Sequence, residues 1–165
     1  MPDNYVLMDF SNLPYAEFDF ETISVVKQYW DDIDSWTEFM DTPRRSSAFL
    51  MVITDITVQY TDKSGDCFTA KKGDIIYCPL GGEYKFEVIS PANSDYFGKV
   101  KTICINFNMV LPDKRIITLS SKPIKVVNFK SAQLEKDFLD VSKYALKPMV
   151  RRYKLYKIMK TVIDT

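Results

Sequence analysis

The sequence predicts a mainly β fold, a barrel or sandwich of short antiparallel strands that is followed by two helices. Two observations carry this prediction. Residues 48 to 109 alternate short runs of β-branched and aromatic residues with turns rich in Gly, Pro, Asn and Asp, a pattern typical of strands joined by hairpins. From about residue 131 the apolar residues instead recur every three or four positions, which indicates amphipathic helices.

The composition is that of one globular domain. The chain has 165 residues, of which 46% are hydrophobic, enough to build a core and too many for a disordered chain. Its 22 basic and 22 acidic residues cancel, which disfavours a chain that binds nucleic acid over its whole surface. No secretory signal is visible, and no apolar run approaches the roughly 20 residues of a membrane helix. We therefore expect a cytoplasmic protein without membrane contact.

Histidine is absent from the sequence. Imidazole is the commonest metal ligand and the usual general base near neutral pH, so its absence excludes Ser-His and Cys-His catalysis and metal sites that need imidazole. Cys67, Cys78 and Cys104 are too few for an all-thiolate zinc site, and we expect them to be buried in a reducing compartment. We expect no metal and no cofactor, and only carboxylate chemistry stays open.

The strands are predicted in chain order. Ile23 to Trp30 is β-branched and aromatic and is expected to be a strand, while residues 30–36 and 43–47 are expected to be loops. Phe49 to Tyr60 has no helical period and is expected to be β structure. One face of it would carry alternate apolar side chains, namely Leu50, Val52, Ile56, Val58 and Tyr60.

Tight turns divide the next segment. Asp62 to Asp66 is expected to be a hairpin turn in which Gly65 takes positive φ, and Lys72 to Asp74 is a second turn. Cys67 to Lys71 is a short returning strand between them, and Ile75 to Cys78 is a strand that ends at Pro79. Two further strands alternate in polarity, with these side chains on their apolar faces: Tyr84, Phe86 and Val88, then Ile103, Ile105 and Phe107. Cys104, Asn106 and Asn108 would lie on the opposite face of the last strand.

Two helices are predicted at the end. Ser131 can cap the first, and its apolar stripe consists of Leu134, Phe138, Val141 and Ala145. This stripe either packs on the barrel or forms a dimer interface, and periodicity does not separate the two. Pro148 ends or kinks the first helix, and Met149 to Ile163 is expected to form a second, basic one. Its basic side chains form a solvated face, a linker near a DNA-binding region, or a nucleic-acid contact.

Residues Gly65 to Tyr84 resemble the central segment of cupins, and in particular the N-terminal regulatory domain of AraC-type transcription regulators. The shared features come in order: a hairpin, a Lys-x-Gly-Asp turn at residues 71–74, a short apolar strand, Pro79, glycines and a further strand. The strand Ile103 to Phe107 and the helix pair also resemble the family. The resemblance implies a cupin-like (jelly-roll) β-barrel with an N-terminal arm over residues 1–130, followed by a helical dimerisation and linker segment over residues 131–165.

The same resemblance implies a function. It implies a domain that senses a small-molecule effector, for example a sugar, and that forms a homodimer through Leu134, Phe138, Val141 and Ala145. The family's DNA contact is made by two helix-turn-helix units. Either these units follow Thr165 or this is a stand-alone domain; we favour the first, so that DNA would be bound only through a domain absent from this chain. Metal-binding cupins carry histidine where this chain has Glu83 and Tyr84, so the resemblance implies no metal and no enzyme.

Seven side chains are candidates for the ligand site, because pockets of such barrels open at the mouth: Trp36, Arg44, Arg45, Tyr77, Glu83, Tyr84 and Asn106. An arginine can hold a carboxylate or neighbouring hydroxyls with its fork of N–H donors, and tyrosines can stack and donate hydrogen bonds. Each also has a plainer interpretation. The tyrosines are core residues, the arginines surface charges and Glu83 a solvated carboxylate.

Two other functions stay open. A metal-free cupin enzyme, such as a sugar epimerase or isomerase, could use Tyr84 and Glu83 as acid and base. Adjacent residues on a strand point to opposite faces, however, so these two would not share a pocket. The other alternative is a structural dimerisation module with a filled barrel that binds no ligand.

Overall fold

A computed structural model of the protein describes residues 4–29, 36–90, 98–128, 132–143 and 147–164, without the side chains of residues 36–38, 90, 127 and 128. The described residues form two facing β-sheets and two C-terminal helices. The predicted fold class, a mainly β barrel followed by two helices, is confirmed.

The strands are β1 (Tyr5–Leu7), β2 (Asp19–Gln28), β3 (Trp36–Glu38), β4 (Ser47–Val52), β5 (Thr57–Asp62), β6 (Cys67–Lys71), β7 (Asp74–Cys78), β8 (Tyr84–Ser90), β9 (Thr102–Val110), β10 (Ile116–Thr118) and β11 (Ile124–Asn128). A 3₁₀ helix spans Phe10–Tyr15, and the two α-helices are α1 (Ala132–Lys143) and α2 (Pro148–Ile163).

Strand β9 is the centre of the larger sheet. Strand β4 pairs with it antiparallel, with Leu50 opposite Cys104, and is itself followed by β7 and β11. Strand β2 pairs with β9 on its other side, with Val26 opposite Cys104. Strand β10 pairs with the end of β9, and β1 adds to β10 in parallel. The smaller sheet has the order β3-β8-β5-β6.

The space between the two sheets is filled by one apolar cluster. Tyr60 stacks on Phe68 with ring centroids 5.1 Å apart, and Phe86 meets it edge-on at the same distance. The predicted shared face is confirmed, because the cluster contains Leu50, Val52, Ile56, Val58 and Tyr60. Such close packing means that a ligand would bind outside this cluster.

The outer face of the larger sheet is covered by the helices. A second apolar cluster joins Phe49, Ile105 and Phe107 of this sheet to Leu155 and Ile158 of α2 and to residues of α1. The stripe of α1 therefore packs on the barrel, which was one of the two predicted alternatives.

The assignment of this stripe to a dimer interface is corrected. Leu134, Phe138 and Val141 are 2%, 0% and 0% exposed within the single chain. A second chain could reach them only if the helices separated from the sheet. Ala145, the fourth residue of that assignment, lies outside the described residues.

Much of the positive charge of α2 is neutralised within the chain. Lys154 Nζ lies 3.0 Å from Asp137 and 3.1 Å from Asp140, both on α1. Arg152 pairs with Asp19 of β2 at 3.4 Å, and Arg151 donates a hydrogen bond to the Ile23 carbonyl at 3.1 Å. These contacts hold α2 against α1 and β2, so the basic side chains of α2 stabilise the packing of this helix within the chain.

Several boundaries differ from the prediction. The β segment Phe49–Tyr60 is divided into β4 and β5, because the chain crosses between the two sheets there. The expected strand at Ile23–Trp30 begins earlier, at Asp19, and ends at Gln28. Strands β1, β3, β10 and β11 and the 3₁₀ helix were not predicted, and Trp36, which was expected in a loop, begins β3. The hairpin turn is confirmed, with Gly65 at a φ of 92°.

Candidate functional site

An open concavity of about 920 Å³ lies beside the filled interior. One wall is the inner face of the β2–β9 pair, where cross-strand neighbours such as Val26 and Cys104 or Ser24 and Asn106 point the same way. The opposite wall is the segment from Phe39 to Ser46, which precedes β4. The concavity is therefore a mouth at the edge of the barrel.

The turn between β7 and β8 positions Arg44. The Arg44 N–H donates to the Gly82 carbonyl at 3.3 Å, and the Gly81 N–H donates to the Arg44 carbonyl at 2.8 Å. A Cβ atom at Gly82 would lie 2.9 Å from the Pro79 carbonyl oxygen, so a side chain there would disturb the turn. The proline and glycines that resemble the cupin segment thus hold the backbone of Arg44 at the mouth.

The guanidinium of Arg44 is half-buried and bonded to neutral groups. Its Nε donates to the Ser46 carbonyl at 3.2 Å, its Nη1 to the Tyr84 hydroxyl at 3.0 Å and its Nη2 to Asn106 Oδ1. Its Cζ also lies 5.1 Å from the centre of the Phe39 ring, a cation–π contact. Within the described ranges, no carboxylate forms an ion pair with Arg44.

The groups nearest to this cation stay neutral near pH 7. Burial raises the pKa of Tyr84 well above its usual value of 10.0. Burial likewise raises the pKa of Cys78, and that of Cys104 to about 11, although the charge of Arg44 opposes both shifts. Removal of a phenol or thiol from water disfavours its anion. No described neighbour therefore balances the charge of Arg44 at neutral pH.

A ladder of polar side chains runs along the β2–β9 wall. Asn106 Nδ2 donates to Ser24 Oγ at 3.3 Å, and Asn108 Nδ2 donates to Thr22 Oγ1 at 3.0 Å. Asn108 Oδ1 is buried and has no hydrogen-bond partner. An unpartnered buried acceptor costs about 1–3 kcal/mol, and a ligand that donates a hydrogen bond to it after rotation of the Asn108 amide towards the concavity would recover this loss.

The structure brings together four of the predicted site residues. Arg44, Tyr84 and Asn106 form one hydrogen-bonded group, and Arg45 lines the same concavity with an exposed side chain.

Two other predicted residues, Tyr77 and Glu83, are not brought to this place, and the side chain of a third, Trp36, is not described. Tyr77 belongs to the apolar cluster on the outer face of the larger sheet. Its hydroxyl contacts Ser47 Oγ at 2.8 Å and accepts a hydrogen bond from the Leu119 N–H at 3.0 Å. Glu83 pairs with Lys63 of the β5–β6 hairpin. Trp36 belongs to β3, and its side chain lies outside the described part of the chain. Tyr77 therefore follows the plainer interpretation, that of a core residue.

Sequence reasoning missed Phe39, Ser24 and Asn108 as members of the site. Asn108 had a signal, since it follows Asn106 by two positions on a strand whose alternation was recognised. Ser24 and Phe39 had none, because their place depends on which strands become neighbours.

A second concavity, of about 1000 Å³, lies near the N-terminus of α1. It is lined by charges of both signs, and Lys125 pairs there with the buried Asp74 at 3.2 Å. Because its charges balance one another, it offers no unsatisfied group comparable to Arg44, and we place the site at the Arg44 concavity.

Metal ligands and membrane spans were also sought among the described residues. In that part of the chain, no three Cys, Asp or Glu side chains cluster in a way that could hold a metal ion. Neither of the two described helices has the length and apolar character required to cross a bilayer.

The chain matches no protein-family model and no curated protein. Solved structures with a similar fold include ToxT from Vibrio cholerae bound to (E)-4-(8-methylnaphthalen-1-yl)but-3-enoic acid, with a TM-score of 0.45 and 8% identity over 88% of this chain and 58% of that one. They also include unsaturated fatty acid bound ToxT, with a TM-score of 0.35 and 9% identity over 53% of this chain and 28% of that one.

A DUF861 family protein from Thermotoga maritima is similar with a TM-score of 0.31 and 13% identity, over 56% of this chain and 99% of that one. At such identities the similarity concerns the fold alone. This chain spans between about a quarter and three fifths of the length of the two ToxT chains.

Proposed function

We propose that this chain is the effector-sensing domain of an AraC-type transcription regulator and that it binds a small molecule in the Arg44 concavity. The observation that carries the proposal is the half-buried guanidinium of Arg44, whose described partners are all neutral and which faces an open space of about 920 Å³. A ligand that binds one arrangement of the domain more tightly than another would shift the population between them.

The proposal includes several finer points. The domain is not an enzyme, needs no metal or cofactor, acts in the cytoplasm and belongs to a regulator that binds DNA through helix-turn-helix units. The sensing domain forms a homodimer through a surface other than the buried stripe of α1. The absence of enzyme activity is supported by Tyr84 and Glu83, since Tyr84 points inward to Arg44 while Glu83 pairs with Lys63.

A ligand screen, repeated with a variant whose Arg44 concavity is filled, tests the proposal. The protein is titrated with neutral sugars, polyols, amino acids and organic acids while its thermal unfolding is followed. A ligand at about 100 times its dissociation constant adds roughly 2.7 kcal/mol to the free energy of unfolding. Val26→Trp places an indole in the concavity, and we expect it to abolish the ligand-induced shift.

Ile89→Trp is the matched control for this experiment. Val26 and Ile89 are both strand residues and are 45% and 48% exposed, but Ile89 does not line the concavity. The Ile89 variant should respond to ligand like the unmodified protein. A complete lack of stabilisation across the panel, or an undiminished response of Val26→Trp, would contradict the proposal.

The filled barrel interior favours one alternative function, a structural module without a ligand. Tyr60, Phe68, Tyr84 and Phe86 occupy the interior with ring-to-ring contacts. That function requires that no compound in the screen stabilises the protein, so the same experiment decides between the two.

A further inference from the structure

The concavity has a distribution of polar groups that specifies more than a small molecule. We propose, on the basis of the proposed function, that its ligand is a hydroxy acid, with a carboxylate on Arg44 and a hydroxyl group on Asn108. Sugar acids belong to this class.

The charge of the concavity calls for an anion. Arg44 and Arg45 both line it, and none of its described lining residues is acidic. A partly buried cation without a counter-ion is unfavourable, since it has lost water and gained no opposite charge. A neutral sugar would leave this charge uncompensated, whereas an anionic ligand would balance it.

The free N–H donors of Arg44 match a carboxylate. A guanidinium has five N–H donors, and the described contacts use one each on Nε, Nη1 and Nη2. One N–H therefore remains on each terminal nitrogen. Two parallel N–H···O bonds from an arginine fork are the usual way in which proteins hold a carboxylate.

The second recognition point is Asn108. Its Nδ2 bonds to Thr22 while its Oδ1 is buried without a partner, so the amide of this lining residue must rotate towards the concavity before a ligand contacts it. If the amide is turned the other way, its nitrogen becomes the unpartnered atom instead. A hydroxyl group satisfies either orientation, because it donates and accepts.

The spacing of these two points sets the size of the ligand. Asn106, which bonds to Arg44, and Asn108 lie two positions apart on one face of β9, which corresponds to about 7 Å along a strand. Beside them the wall contains Thr22 and Ser24, whose hydroxyl oxygens accept hydrogen bonds from Asn108 and Asn106. A six-carbon chain with hydroxyl groups along it and a carboxylate at one end spans this distance.

Three six-carbon probes separate the contributions. Gluconate has both the carboxylate and the hydroxyl groups, sorbitol lacks the carboxylate, and hexanoate lacks the hydroxyl groups. Calorimetric titration should show the tightest binding for gluconate, and a fourth probe, glucuronate, should behave similarly because it is also a hydroxy acid. Sorbitol lacks the charged pair with Arg44 and should bind at least about 30-fold more weakly than gluconate. Hexanoate lacks one or two neutral hydrogen bonds and should bind about 3- to 30-fold more weakly than gluconate.

Variants assign these losses to residues. Asn108→Ala should weaken gluconate by about 3- to 10-fold and leave hexanoate unchanged. Arg44→Lys keeps the charge but not the fork and should weaken both acids, and Arg44→Met should abolish the binding of both. Arg115→Met removes an exposed arginine that pairs with Asp113 on a distant turn and should change nothing. Circular dichroism of each variant checks the fold, and Asn108→Ala keeps the test valid if the Arg44 variants do not fold.

The outcomes separate this inference from the proposed function. If a neutral sugar or polyol binds at the concavity and no hydroxy acid does, the ligand class is wrong while the sensing function stands. If hexanoate equals gluconate and Asn108→Ala has no effect, the hydroxyl contact is overturned. If no compound of any charge class binds, both proposals fall.

Discussion

At the scale of single residues, Cys104 links the site to the pH dependence of stability. It is 4% exposed on the inner face of β9. Burial raises the pKa of its thiol from 9.0 to about 11, in spite of the opposing charge of Arg44. Above pH 9 the unfolded chain loses this proton while the folded chain keeps it. The stabilisation from this group is thus fully present below pH 9 and is lost as the pH rises to about 11.

Cys104→Ala should reduce the alkaline loss of stability. The raised pKa corresponds to about 2.7 kcal/mol over the two pH units between 9.0 and about 11. We expect the free energy of unfolding of the unmodified protein to fall by about this much more than that of the variant. Urea unfolding at pH 8, 9, 10 and 11 measures both slopes. The small cavity left by alanine lowers stability equally at each pH, so parallel slopes would contradict the burial of an unreactive thiol.

The sequence could not show which of the two neighbouring arginines, Arg44 or Arg45, enters the site. Asn106 was predicted because alternation along β9 fixes its face once Ile105 is taken to be buried. Arg44 and Arg45 lie in a loop, where no period applies, and only the hydrogen bonds of Arg44 with Gly81 and Gly82 decide which one turns towards Tyr84. Such contacts join residues almost forty positions apart, and the local sequence holds no signal for them.

At the scale of elements, helices were predictable and the three-residue strands were not. The apolar stripe of α1 could be predicted from the spacing of its residues. The same spacing suits a dimer interface and a packed helix equally well. In the structure the stripe belongs to the apolar cluster between the larger sheet and the helices, so it is packed. Strand β10 has three residues and β1 pairs with it in parallel. A period of two cannot be recognised in so few positions, so their pairing depends on neighbours far apart in the chain.

The basic side chains of α2 differ in their contribution to stability. Lys154 is bound between Asp137 and Asp140, whose side chains are 5% and 11% exposed. We expect Lys154→Met to lower the thermal midpoint clearly, because it leaves two acidic groups close together with less positive charge between them. Lys160→Met is the control, since Lys160 is 77% exposed and pairs with Asp164 one turn away on the surface. If the two variants lowered the thermal midpoint equally, the α1–α2 ion pairs would not stabilise the packing of the helices.

At the scale of the whole molecule, the helices and the barrel share one core. The predicted division into residues 1–130 and 131–165 remains a prediction. Phe20, Phe49 and Phe107 of the larger sheet are each 0% exposed and belong to the cluster that α1 and α2 complete. Removal of the helices would expose this apolar face to water at about 25 cal/mol per Å². A barrel without its helices would therefore carry a large apolar patch of the kind that leads to aggregation.

A chain shortened to residues 1–130 should accordingly fail to fold as a soluble monomer. We expect it to elute as aggregates in gel filtration and to lack a cooperative thermal transition in circular dichroism, while the full chain shows one transition. Phe138→Ala in the full chain provides an intermediate case. It removes one large side chain that is 0% exposed, and it should cost about 3–5 kcal/mol without changing the mass measured by light scattering. A soluble, cooperatively unfolding fragment would mean that the barrel holds its own core. A change of mass in Phe138→Ala would instead restore the stripe of α1 as an interface between chains.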